Sequence, residues 1–143
     1  NPAECFEGER GFLGFYQGRM RRIVICQRAA LAQDQPVIGH IYGWHADDLD
    51  TLRHETQHFI QDCVLNGRHD HQLAPVYQEP VKYGLYVLGE RDVQNIIEVY
   101  RDAGASDHVL VLEIEAFAVA AENEPLVQAE DVRRYCGANG YSA

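Results

Sequence analysis

The sequence lacks an apolar run approaching the roughly 20 residues that a membrane helix needs, and it opens with neither a basic leader nor a hydrophobic signal core. We therefore expect a soluble protein without a membrane partner, with the cytoplasm as its default location. Basic residues are also few, since 12 Lys and Arg stand against 22 Asp and Glu and give a formal net charge of −10. Such a surplus of negative charge repels phosphate backbones, so no nucleic-acid partner is expected.

The sequence also lacks a C-x-x-C pair, an internal repeat, a low-complexity tract and a linker rich in Pro, Gly or Ser. The absence of a linker predicts one domain over residues 1–143. The cysteines are widely spaced, which argues against a zinc ribbon or a thioredoxin-like redox motif; they are Cys5, Cys26, Cys63 and Cys136. Their even number permits two disulfides without requiring them, because buried free cysteines are common, and the redox compartment stays open.

The patterning predicts an α+β fold that begins with short strands. Runs rich in β-branched and aromatic residues predict strands at 12–17, 22–27 and 37–42, the first two forming an antiparallel hairpin around Gly18. From Asp47 onward helical periodicity takes over, and the first helix ends at Asn66-Gly67. Its apolar residues recur at helical spacing and predict one buried stripe, made of Leu49, Leu52, Thr56, Phe59, Ile60, Cys63 and Val64. Further helices are predicted at about 90–103, 106–123 and 125–137.

The first predicted helix contains an H-E-x-x-H sequence, His54-Glu55-Thr56-Gln57-His58. Residues four apart lie on the same face of a helix, so both imidazoles can reach one zinc ion. Glu55 lies one position further round the helix, where it can act as the general base that takes a proton from the attacking water. The motif therefore predicts a zinc site in which His54 and His58 are ligands and Glu55 is catalytic.

A catalytic zinc needs a third protein ligand, and the helix predicted at 106–123 offers two carboxylates. This helix is apolar almost all round, which predicts burial, and buried carboxylates are rare unless they are paired or bind metal. Glu113 and Glu115 are about 200° apart around the helix axis, so one should face the metal and the other solvent or an arginine. His69 and His71 lie just past the helix that contains the motif, and the chain would have to turn back sharply for either of them to reach the same metal ion.

The arrangement resembles the zincin metallopeptidases of the gluzincin type, in which a glutamate on a later helix completes the H-E-x-x-H site. Several such families carry this ligand in an E-x-x-A pattern followed by Asp or Asn. Alignment with that pattern implies that Glu113 is the third zinc ligand and Ala116 the small residue, whereas Phe117 departs from the pattern. Small uncharacterised phage and bacterial proteins with H-E-x-x-H-x-x-Q helices come closest, as in His58-Phe59-Ile60-Gln61. The metzincin class is excluded because Gln61 and Val64 stand where it needs glycine and histidine.

The resemblance implies a small zincin-like domain that hydrolyses a peptide or protein substrate with Zn²⁺. Candidate donors to the oxyanion of such a reaction are Tyr83, Tyr86, Tyr100 and His108, while His40 and His45 have no assigned role. The first alternative is a non-catalytic zinc-binding domain with a protein partner in a larger assembly, such as a phage-encoded or virion-associated one. The second alternative is a metal-free interaction domain in which the motif is coincidental.

Overall fold

A computed structural model describes residues 14–26, 46–65, 73–122 and 124–137. The described elements are two strands followed by five helices, so the α+β prediction is confirmed at that level. Strand β1 spans Gly14–Gln17 and pairs antiparallel with β2, Arg22–Ile25, so that Phe15 lies opposite Val24. The predicted hairpin is therefore present, with shorter strands than the sequence indicated. The strand predicted at 37–42 lies outside the described residues.

The helices are α1 (Ala46–Val64), α2 (Pro80–Leu88), α3 (Glu90–Asp102), α4 (Asp107–Glu122) and α5 (Pro125–Cys136). Four of them match the sequence predictions to within a few residues, and α2 was not predicted. α2 begins at a proline, which is favoured in the first turn because no helical partner is lost there. It packs against α4, and Gly84 is buried directly against Ile114 where no larger side chain would fit without a shift.

α1 and α4 form the centre of the described fold. α1 contacts both strands, α4 and α5, while α4 also contacts α2 and α3. The buried residues of α4 are almost all apolar, as predicted; they are Leu110, Leu112, Ile114, Glu115, Ala116, Ala118, Val119 and Ala120. None of the described helices is both long enough and apolar enough to cross a membrane.

The buried face of α1 differs from the predicted apolar stripe. Of that stripe only Ile60 and Cys63 are fully buried, whereas most of the buried residues are polar: Asp48, Thr51, His54, Glu55, Gln57, His58, Gln61 and Asp62. Burying polar side chains costs free energy unless hydrogen bonds or ligands compensate. The buried surface of α1 is therefore built largely for polar contacts with α4 and the hairpin, which is why periodicity of apolar residues did not identify it.

A disulfide joins α1 to α5 through Cys63 and Cys136, which are 73 residues apart in the sequence. Closing a loop of this length restricts the unfolded chain and is expected to stabilise the fold by about 4 kcal/mol. Cys26, at the end of β2, is also disulfide-bonded. The cysteines of the described residues are therefore used as cross-links, which the sequence had left open.

Candidate metal centre

His54 and His58 lie one above the other on the buried face of α1. Their Nε2 atoms are 3.2 Å apart, and their rings meet edge to face with centroids 4.9 Å apart. Both residues are no more than 9% exposed. The four-residue spacing of the motif therefore brings two potential nitrogen ligands to one point, as predicted from helical geometry.

Glu113 reaches this point from α4. Its Oε2 lies 2.9 Å from His54 Nε2 and its Oε1 lies 3.1 Å from His58 Nε2. Two ligands about 2.0–2.1 Å from a tetrahedral zinc are separated by about 3.3 Å, so the observed spacings of 2.9–3.2 Å fit such an ion with little adjustment. The structure thus brings together the three residues predicted as ligands, and they form a group that could hold a metal ion.

Charge attraction holds this cluster together in the metal-free protein. Burial favours the neutral forms of both partners, but the hydrogen bonds and charge of Glu113 outweigh it and raise the pKa of His58 to about 9. Burial likewise opposes ionisation of Glu113, but hydrogen bonds from His54 and His58 hold its pKa well below the usual range. A carboxylate that stays ionised beside two imidazoles supplies the charge that a divalent cation requires.

Glu55 lies beside the cluster and is 7% exposed. Burial raises its pKa, the charges of His54 and His58 oppose that shift, and Glu113 adds to it. A carboxylate with a raised pKa is a stronger base than an ordinary glutamate at neutral pH. Glu55 therefore has the environment expected of a general base.

Gly14 allows β1 to approach α1 closely at this site. A Cβ atom on Gly14 would lie 2.5 Å from Thr51 Cγ2 and 2.7 Å from the carbonyl oxygen of Val24, and 3.6 Å from Glu55 Cγ. Since real Cβ contacts are not this short, a larger residue at this position would push the hairpin away from α1. Gly14 therefore keeps β1 packed beside Glu55.

Within the part of the chain that the structure describes, Glu115 faces neither solvent nor an arginine, so that prediction is wrong. It is fully buried and accepts hydrogen bonds from the side chains of Gln57 (3.0 Å) and Gln61 (3.2 Å) and from the backbone N–H groups of Val76 and Tyr77 (2.9 and 3.1 Å). All of these are donors, which is the set that an acceptor-only carboxylate requires. Among the described residues, amide groups compensate this burial, and no local pattern in the sequence indicated that solution.

The outer nitrogen of His54 has no partner among the described residues. Its Nδ1 atom is buried without a hydrogen bond, and the ring of Phe117 packs against the His54 ring at a centroid distance of 4.3 Å. Phe117 is the residue that departs from the gluzincin-like pattern, in which Asp or Asn often follows the small residue. On the Nδ1 side, aromatic packing by Phe117 and not a hydrogen bond from the described residues therefore supports the His54 ring.

A cleft of about 370 Å³ opens beside the cluster. His58 and Glu113 line it. The other lining residues come from the hairpin, from α4 and from the segment before α2; they are Tyr16, Gly18, Arg19, Leu73, Val109 and Leu112. Clefts of about 300–1,000 Å³ with mostly apolar walls and a few polar groups are typical ligand sites. The potential metal ligands are therefore reachable by a substrate.

Among the candidate oxyanion donors, Tyr100 lies at the site. Burial and then the charge of nearby Glu113 raise the pKa of Tyr100. Tyr83 donates its hydroxyl to Glu122 instead, His108 hydrogen bonds with the Leu73 carbonyl oxygen, and Tyr86 is 85% exposed. The remaining histidine candidates, His40, His45, His69 and His71, lie outside the described residues.

The pKa values predict that zinc and protons compete for the site. The pKa of His58 in the metal-free protein, about 9, exceeds the ordinary 6.5, so its pairing with Glu113 stabilises the fold fully below pH 6.5 and is lost as the pH rises through 9. Glu113, with its lowered pKa, stabilises the fold above its ordinary pKa of 4.5 and loses this effect only in acid. Zinc needs the neutral imidazole, so its affinity should increase with pH.

Melting temperatures measured with zinc and with a chelator, from about pH 6 to about pH 9, test this competition. The difference between the two curves should widen toward higher pH. A difference that is constant or that narrows would contradict the coupling of His58 protonation to metal binding.

Comparison of the chain with known protein families, with curated proteins and with solved structures finds no match.

Proposed function

We propose that the chain is a zincin-like metallopeptidase domain that hydrolyses a peptide or protein substrate with Zn²⁺ held by His54, His58 and Glu113. One observation carries this proposal: three ligand atoms at spacings suited to tetrahedral zinc lie beside the buried carboxylate of Glu55. The described residues supply three protein ligands, and a set of three supports catalysis, since structural zinc sites normally take four.

The roles of the residues follow from their positions. Zinc, when bound, would polarise the peptide carbonyl and lower the pKa of an adjacent water. Glu55 takes a proton from the water as the water oxygen bonds to the carbonyl carbon, and then delivers that proton to the nitrogen as the C–N bond breaks. Tyr100, held beside Glu113, is the candidate donor to the developing oxyanion.

The cleft supports a peptide as the substrate. It is lined by the apolar residues Leu73, Val109 and Leu112 next to His58 and Glu113, and by Tyr16 and Arg19 from the hairpin, where Arg19 offers a polar group. Such a surface can accommodate an apolar side chain next to the scissile bond while polar groups contact the peptide backbone.

The test is the metal content of the purified protein, followed by a cleavage screen with unfolded proteins and peptide libraries. We expect about one zinc per chain, and cleavage that a chelator abolishes and added zinc restores. A protein without zinc would refute the proposal. Zinc without any cleavage would favour the alternative of a non-catalytic zinc-binding domain within a larger assembly.

A further inference from the structure

The outer ring nitrogen of His58 contacts a side chain from its own helix. His58 Nδ1 lies 2.8 Å from Gln61 Oε1, and Gln61 is fully buried. The two residues are three apart on α1, where side chains are neighbours. Gln61 therefore occupies the position in which metal-binding histidines usually have a hydrogen-bond partner.

The surroundings of Gln61 determine which way its amide points. Its Nε2 atom donates to the Leu112 carbonyl oxygen at 3.1 Å and to Glu115 Oε1 at 3.2 Å, and both of these atoms are acceptors only. A flipped amide would place its oxygen against two other oxygens. Gln61 Oε1 must therefore face His58, and an acceptor at 2.8 Å requires a proton on His58 Nδ1.

Glu115 in turn is held by backbone groups from outside α1 and α4. The backbone N–H groups of Val76 and Tyr77, on the segment before α2, donate to its carboxylate. The chain of contacts thus runs from this segment through Glu115 and Gln61 to the outer nitrogen of His58. Every side chain in it is fully or almost fully buried, so water does not compete with these hydrogen bonds.

We propose that Gln61, oriented by Glu115, is the positioning residue that keeps the proton of His58 on Nδ1 and leaves Nε2 free for zinc. This inference rests on the part of the proposed function that makes His58 a zinc ligand. It assigns roles to two residues that bind neither metal nor substrate, and it explains why a carboxylate whose described partners are all uncharged donors is buried beside the site.

Gln61→Met is the direct test, because methionine fills a similar volume and its thioether is only a weak acceptor for the His58 Nδ1–H hydrogen bond. Zinc affinity should fall about 10–100-fold, the range found for outer partners of metal-binding histidines. NMR of the ¹⁵N-labelled imidazole rings in the zinc-loaded protein should show His58 Nδ1 protonated in the wild type, and a mixture of ring states in the variant. Gln61→Asn, which withdraws the amide by one methylene, provides a second variant should Gln61→Met fail to fold.

Gln57→Met is the matched control. Gln57 is 1% exposed, lies on the same helix and donates to the same Glu115, yet no hydrogen bond joins it to His58. Its substitution should change stability but leave zinc affinity and the His58 ring state unchanged.

The outcomes separate this inference from the proposed function. If Gln61→Met and Gln57→Met lose zinc affinity equally, or if neither changes the His58 ring state, the positioning role is overturned whatever the enzyme cleaves. If Gln61→Met alone weakens zinc and the protein cleaves nothing, the positioning role stands and the peptidase proposal fails. A wild-type protein that binds no zinc would overturn both.

Discussion

Glu55→Gln should keep its zinc and lower the rate of peptide hydrolysis by about 10²–10⁴-fold, the contribution typical of a general base. Glutamine has almost the size of glutamate but cannot take a proton, and the three potential ligands remain untouched. The fold should also tolerate this substitution. Glu55 is buried, which raises its pKa, and a neutral amide costs less free energy to bury than a carboxylate. Metal analysis and steady-state kinetics of the same preparation measure both effects.

Asp50→Asn is the control for this experiment. Asp50 is an exposed carboxylate one turn before His54 on α1, so its neutralisation changes the net charge equally while the site stays intact. We expect this variant to hydrolyse peptides at the rate of the wild-type protein. Loss of zinc from Glu55→Gln would mean that Glu55 is a ligand, and full activity would mean that the hydrolysis has another source.

Glu113→Ala should lower zinc affinity well beyond the 10–100-fold range of an outer-shell partner, because it removes one of three ligands and the only negative charge among them. The linked effect on stability is measurable. Zinc at one hundred times its dissociation constant stabilises the wild type by about 2.7 kcal/mol, and this gain should vanish in the variant. Metal titration and melting curves with and without zinc provide the two readouts.

Glu115→Gln is the comparison that distinguishes the two carboxylates of α4. It preserves side-chain size and leaves His54, His58 and Glu113 in place, so its loss of zinc affinity should stay within the outer-shell range. Equal losses in the two variants, or a larger one at Glu115, would show that the wrong carboxylate has been assigned as the ligand.

The sequence predicted the helices whose ends carry strong local signals. α3 has acidic residues in its first turn and Arg101 in its last, and α5 begins at Pro125. α2 was missed because it is only 9 residues long and has Gly84 in its interior. Its Val and Tyr residues favour strands on intrinsic propensity, and contact with α4 outweighs that preference.

The candidate site was predictable where one helix determines the spacing of its residues or where a resemblance to a known pattern indicated a residue. The spacing of His54 and His58 is fixed by helical geometry, and a pattern shared with known metallopeptidases indicated Glu113. The partners of Glu115 were not predictable, because Gln61 on α1 and the N–H groups at Val76 and Tyr77 meet only through tertiary packing. The Cys63–Cys136 pairing likewise depends on α5 lying against α1.

The central position of α1 has a consequence for the order of folding. Helices α2, α3 and α4 contact one another and follow closely in sequence, so they can assemble early through short loop closures. α1 joins α4 across more than fifty residues, as the separation of 59 between His54 and Glu113 shows. We therefore expect the helical unit of 80–122 to collapse first, with Glu113 and Glu115 still exposed to water, and the docking of α1 to limit the folding rate. The competence to bind metal would then arise only in that last step.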